Sequence, residues 1–420
     1  MRVDDRAPSA AETVSQRRVS LMLWALTLGA FLTTSSATTR SPFLLDMARD
    51  LDTDLMAVAN LMAVMSTTWG IMSLVAGTLS DRVGRKVILT SAIVLAGAAM
   101  TGVGLAGSYT LAVVAVLAGG IGGGSFMGTV FATVSDHIAP ARRGSALGWV
   151  MTGQSVSLVL GVPLATLIGA QAGWRGAHLA FAAMTVLVGL AMLLLVPSRG
   201  RYQATGREAA AAAPLKTILT PRILSLLMSG TTERVCFAAM SAYLATFLIS
   251  TYQVPLEGLA VALLLVTLGN LVGNMAGGQL ADRVRSRELL YGVSLAATGA
   301  VALPLLLWTP GLEISIALGF AYTFANAIGR PAYMAALASV PEAVRGTVLG
   351  LNVTFASVGW IAAATLGGWL IAGSGFGSLG IFCAASALAG TAVLMVGGSL
   401  RSRQAPPPGD KSAPVAASSS

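Results

Sequence analysis

Gly77-Thr78-Leu79-Ser80-Asp81-Arg82-Val83-Gly84-Arg85-Lys86 sets a dense knot of charge directly after a long apolar run. A degraded copy, Gly278-Gln279-Leu280-Ala281-Asp282-Arg283-Val284-Arg285-Ser286-Arg287, returns half a chain later. A second, unlike motif repeats at nearly the same offset. Pro140, Arg143, Gly144, Leu147 and Gly148 are echoed by Pro341, Arg345, Gly346, Leu349 and Gly350. Two different motifs with one offset make the chain a duplication, two halves built to one plan.

The composition says which solvent the halves are built for. Apolar residues make up 55% of the 420 and charged residues only 10%, with mean hydropathy +0.77. A soluble domain carries roughly 25% charged residues, so this chain is built for lipid. The net charge of +9 raises the question of nucleic acid. The basic residues sit in short clusters between apolar runs, without aromatics for stacking, which excludes that partner. Cys236 and Cys383 both fall in apolar segments and read as buried free thiols. The first long apolar run lacks a cleavage site and reads as an uncleaved span.

Runs of roughly 20 apolar residues cross a bilayer as helix. Twelve are expected, at about 20–44, 55–77, 87–107, 109–134, 145–169, 176–197, 222–250, 256–280, 288–308, 312–338, 346–372 and 377–399. The expected fold is an all-α polytopic membrane protein of two pseudo-symmetric six-helix bundles, 20–197 and 222–399. An N-terminal arm (1–19), a linker (198–221) and a disordered tail (400–420) complete it. With both termini cytoplasmic, 21 of the 26 Lys and Arg residues fall on the inner side, and only Arg49 and Arg175 fall in outer loops.

Four ionisable residues lie inside expected spans: Arg40, Glu233, Arg234 and Arg330. Each costs about 2.5–3.5 kcal/mol at the bilayer centre, so each needs a partner or a wet cavity. They occupy spans 1, 7 and 10, helices expected to face a shared central pathway. Glu233 lies roughly 17 Å into span 7 at 1.5 Å per residue, near mid-membrane. A carboxylate stripped of water there suits reversible protonation. Arg234 follows at about 100° around the helix, so the spacing alone does not secure a local ion pair with Glu233, and Arg40 or Arg330 would reach Glu233 only through tertiary contact. Asn326, Asn270, Gln154 and Tyr243 are further candidates for a polar cavity. The glycines of span 4 (Gly119, Gly120, Gly122, Gly123, Gly124 and Gly128) permit close helix approach. They are no phosphate cradle, since no Gly-Lys-Ser/Thr follows. No metal-ligand spacing, cofactor motif or catalytic triad is present, which excludes an enzyme reading.

The 77–86 segment, between spans 2 and 3 of a duplicated twelve-span chain, resembles the signature loop of the major facilitator superfamily. The resemblance covers residues 20–400. It implies that Gly77, Asp81, Arg82, Gly84 and Arg85, with Asp282 and Arg283 in the weaker copy, form a conformational gate against the start of span 11. Gly161-Val162-Pro163-Leu164-Ala165 in span 5, followed by Gly173-Trp174-Arg175, resembles the sugar-efflux and drug:proton antiporter branch. Val116 stands where members often carry an Arg in span 4, and span 1 offers Arg40 where drug exporters often carry an acid. Glu233 is then the one membrane-embedded acid left for coupling. The resemblance implies a monomeric secondary transporter of the inner membrane, with a small molecule, protons and lipid as partners and no cofactor. Its expected function is proton-coupled efflux of a drug- or sugar-like molecule. Import of a small anion, or a non-transporting sensor with the same fold, are the alternatives.

Overall fold

The computed structural model describes residues 10–138, 142–197, 220–340 and 342–404. Among these, every regular element is helical. The first half opens with α1 (Ala10–Thr38), α2 (Leu55–Val83), α3 (Arg85–Gly104) and α4 (Tyr109–His137). Helices α5 (143–172) and α6 (174–195) follow. The second half holds α7 (Pro221–Tyr252), α8 (Leu256–Arg283), α9 (287–308), α10 (312–338), α11 (Glu342–Ser374) and α12 (Phe376–Gln404). The expected arm and tail are described only where α1 and α12 run into them, and the expected linker only at 220–221. Its remaining residues lie outside the described ones.

Among the described residues, eleven helical runs are long and apolar enough to cross a membrane, but one of them, Ser145–Leu195, is 51 residues long. As one straight helix it would measure about 76 Å, over twice the hydrocarbon thickness. Gly173 turns it back with φ 68° and ψ 175°, a backbone that favours glycine, so the run is two spans and the total is twelve. Inside α5, residues 157–161 widen into a π-helical turn directly before Pro163. Proline has no N–H for the ordinary ladder, and the widened turn absorbs the lost bond.

The duplication is visible in which helices touch. Glycines in tight contact with a neighbouring helix mark the seams. In the first half Gly153 meets Thr27 (α5 on α1), Gly29 meets Met192 (α1 on α6), Gly124 and Gly128 meet Trp69 and Ser73 (α4 on α2), and Gly97 meets Thr185 (α3 on α6). In the second half Gly359 meets Thr231 (α11 on α7), Gly390 meets Thr232 (α12 on α7), Gly269 meets Phe320 (α8 on α10), and Gly299 meets Ala384 (α9 on α12). Each seam has its counterpart six helices on. Between the bundles, α2 packs along α11, with Met56 on Gly368, Gly70 on Ser357 and Leu74 on Gly350. Its pseudo-symmetric partner is α5 against α8.

Outward faces stay apolar. Leu187, Leu194, Trp308 and Leu388 are all exposed, an apolar surface of the kind that lipid covers. The interior carries the polar groups, and α7 is the most enclosed helix.

The α4 seam gives a stability test. A Cβ at Gly124 would strike the Trp69 carbonyl oxygen, and backbone cannot step aside cheaply. We expect Gly124→Ala to cost about 1–3 kcal/mol, read as a lower melting temperature of the purified protein. Gly148→Ala, which meets open space, serves as the control. Equal melting of the two variants would contradict the packing.

Candidate functional site

A cavity of about 60 Å³ lies between the two bundles. Helical spacing builds its wall. Phe237, Met240, Ser241 and Leu244 share one face of α7, Leu263, Val266 and Asn270 one face of α8, and Tyr322 and Asn326 one face of α10. Thr38 and Ser41 at the end of α1, with Leu158 and Val162 at the widened turn of α5, close it from the first half. No charged residue stands on this wall.

Its hydroxyls are largely committed elsewhere. Thr267 donates to the Leu263 carbonyl at 2.8 Å, Tyr322 to the Cys236 carbonyl at 2.8 Å, and Thr323 to the Val266 carbonyl at 2.5 Å. The amides are different. Asn270 Nδ2 and both amide atoms of Asn326 are buried without a hydrogen-bond partner. An unpaired buried polar group costs about 1–3 kcal/mol, and on this wall these amide atoms are free to meet a ligand.

Of the other cavity candidates, Tyr243 and Gln154 stand off the wall. Tyr243 lies beside the 240–244 face and turns to α11, donating to the Ala364 carbonyl at 2.5 Å against Gly367 and Gly368. Gln154 sits half-buried, one turn before the widened segment. Arg40 is also outside the cavity. Its guanidinium bonds the Ser36 and Ala37 carbonyls (3.1 and 3.3 Å) and the Met65 sulfur (3.1 Å), lining a separate hollow of about 10 Å³ beside His178 and Val116. It caps the C-terminal end of α1, where the helix dipole is negative, and that end supplies the compensation its charge needs.

Glu233 and Arg234 lie one helical turn from Phe237, toward the end that carries the 77–86 loop. They form a two-pronged ion pair, from Arg234 Nε and Nη2 to both carboxylate oxygens, and both side chains are buried. Helix geometry alone left this pair open. The Cβ atoms diverge by about 100°, yet two long side chains can fold back to meet when no water competes. The Arg234 guanidinium also lies 4.6 Å from the centre of the Phe237 ring. Phe237 is thus shared between the cavity and the ion pair. Arg330 is within electrostatic reach of the pair. Tyr291 and Tyr333 border the same cluster, their rings 4.8 Å apart, with Tyr291 donating to the Ser229 carbonyl and Tyr333 to Asn352 Oδ1.

At the loop end, Gly84 adopts φ 105° and ψ 137°, the break that separates α2 from α3 and lets Arg85 turn inward. Arg85 pairs with Asp81, with Asp136 at 2.9 Å, with Ser80 and with the Gly77 carbonyl at 3.1 Å. Arg82 is exposed, as are Asp282 and Arg283, which enter no ion pair among the described residues. The second copy needs no glycine because Arg285 has ordinary negative φ there, and Ser286 caps α9 instead. Arg222 and Glu288 tie α7 to α9 at 2.8 Å in place of an Arg85-like centre. Side chains at 341–347, the start of α11, lie outside the described residues.

Sequence reasoning missed Asp136 and Phe237. Asp136 is an acid at the end of α4, among otherwise basic loops, and that local charge reversal was its signal. Phe237 stands four residues after Glu233, on the same face of one helix.

The sequence profile of the Major Facilitator Superfamily matches residues 26–364. A chloramphenicol resistance protein of Streptomyces lividans is 28% identical over 295 residues, covering 67% of this chain and 73% of its own. A 3-(3-hydroxy-phenyl)propionate transporter of Escherichia coli (strain K12) is 28% identical over 347 residues, covering 77% and 80%. Among solved structures, a bacterial homologue of the human lysosomal transporter Spinster, in an inward-facing and occupied conformation, superposes with TM-score 0.74 at 17% identity. That match covers 92% of this chain and 97% of the other, and the likeness is one of fold.

Proposed function

The chain belongs to the Major Facilitator Superfamily, and from that premise we propose that it exports a small organic molecule across the inner membrane in exchange for protons. Membership makes it an integral membrane transporter and not an enzyme. The observation that carries the finer reading is the stacking of two features. An uncharged cavity sits between the bundles, and one turn away lies the buried Glu233–Arg234 pair, with Phe237 touching both.

In this reading the bundles rock about the cavity, opening the α2–α11 and α5–α8 seams at alternate ends. Protonation of Glu233 frees Arg234 from its carboxylate, and Phe237 carries that change to the cavity wall. The Arg85 cluster, with Gly77, Asp81, Arg82 and Gly84, gates the loop end, which the Lys and Arg bias places in the cytoplasm. Asp282 and Arg283 belong to the weaker half of the gate. The relative named for chloramphenicol resistance supports the outward direction. A second reading, import of a small anion, draws on Arg234 and Arg330 outnumbering Glu233 in the same cluster.

The test is accumulation in whole cells. Cells expressing the full chain should retain less labelled drug, from a panel headed by chloramphenicol, than cells with empty vector. Collapsing the pH gradient should remove the difference. Equal retention across the panel at matched membrane expression would contradict export.

A further inference from the structure

The cavity wall carries a chemical specification for what it holds once the bundles part and widen it beyond its about 60 Å³. We propose that its ligand is an uncharged molecule with an apolar body and an amide-like edge, a hydrogen-bond donor beside an acceptor, read by Asn326 and Asn270. This deepens the transport reading and rests on it for the statement that the ligand is cargo.

The charge follows from the wall. Arg40 sits in its own hollow, and Glu233, Arg234 and Arg330 are absent from the lining, so no counter-ion meets an ionised group there. A carboxylate or ammonium on the ligand would be buried without a partner, which a low-dielectric site penalises heavily. The apolar body follows from Phe237, Met240, Leu244 and Val266.

The polar edge follows from the amides. Asn274 donates to Asn270 Oδ1 at 3.0 Å, which fixes the orientation of the Asn270 amide and leaves Nδ2 as a free donor. Asn326 has neither its Oδ1 acceptor nor its Nδ2 donor satisfied. A carboxamide side chain with both edges free pairs in two-pronged fashion with a group that offers one donor and one acceptor side by side. Primary amides and lactams have that edge, whereas a trans secondary amide splits its donor and acceptor to opposite sides and a lone carbonyl, ether or carboxylate lacks half of it.

The experiment uses the purified full chain in lipid nanodiscs with paired probes. Each pair is a primary aromatic amide and its matching carboxylate, beginning with 3-phenylpropionamide and 3-phenylpropionate. The amides should bind and raise the melting temperature, and the carboxylates should not. Asn326→Leu should weaken amide binding by about 10- to 100-fold, since a bound polar edge is left unpaired. Without ligand, Asn326→Leu should melt at the same or a higher temperature, because it removes two unsatisfied buried atoms. A purely structural Asn326 would give a lower one.

Binding of the carboxylates in preference, binding of neither class, or amide binding indifferent to Asn326→Leu would each overturn the proposal. The transport reading fails separately. Asn326-dependent binding without flux in vesicles would remove cargo status and keep the site, while flux indifferent to Asn326→Leu would keep transport and remove the site.

Discussion

Replacing Glu233 by Gln is expected to abolish accumulation driven by a pH gradient, while exchange of solute between the two sides continues. Glutamine keeps the shape and removes both the proton acceptor and the countercharge. Arg234, which pairs with Glu233 through both its Nε and Nη2, would then be buried without a carboxylate, and Arg330 stands within reach of the same cluster. Breaking one side of a buried pair costs about 3–5 kcal/mol, so the single variant should also melt lower. The double variant Glu233→Gln with Arg234→Gln separates the two effects. Neutralising both partners should restore most of the stability and none of the coupling. Normal gradient-driven accumulation in either variant would exclude Glu233 as the proton carrier.

Arg85→Ala is expected to slow solute exchange at least tenfold without weakening probe binding, since each tenfold corresponds to about 1.4 kcal/mol on the barrier. Arg85 draws together Asp81 near the end of α2, Asp136 near the end of α4 and the Gly77 carbonyl, with only 11% of its side chain exposed. Arg85→Lys should recover part of the rate only, because an ammonium cannot reproduce the guanidinium fork across two carboxylates. Asp136→Asn should slow exchange in the same direction. Initial rates of exchange, read beside probe affinity on the same preparations, decide the point. Unchanged rates in Arg85→Ala would reduce the cluster to a local staple.

What could be read from the sequence follows from the range of each interaction. Spans are local facts, set by runs of apolar residues against a fixed bilayer thickness, and the duplication needed only two motifs at one offset. The turn at Gly173 falls in the gap expected between spans 5 and 6, where Arg175 interrupts an otherwise apolar run. Asn270 and Asn326 stood out because an amide is costly to bury in a membrane helix, and the same cost now marks them on the cavity wall.

Other features were hidden because they depend on side-chain reach or helix rotation. Whether adjacent Glu233 and Arg234 meet is decided by seven side-chain torsions, which Cβ directions alone do not fix. Tyr243 and Met240 differ by three positions, yet one turns to α11 and the other to the cavity, a rotation that depends on where α11 packs. Arg40 read as a pathway charge because its partners are backbone carbonyls of its own helix end, and no sequence pattern announces those. Asp136 lies 51 positions from Arg85, and only the docking of α4 brings them together.

Proton-for-solute exchange through the central cavity is the claim on which the rest depends. Its most direct test is counterflow with the purified chain in vesicles that hold an imposed pH gradient, using labelled chloramphenicol and the aromatic amides as solutes. The account predicts that solute moves against the proton gradient, accumulating on the more acidic side, and that Glu233→Gln vesicles equilibrate without accumulating. Solute moving with the protons, or accumulation that persists in Glu233→Gln, would contradict it.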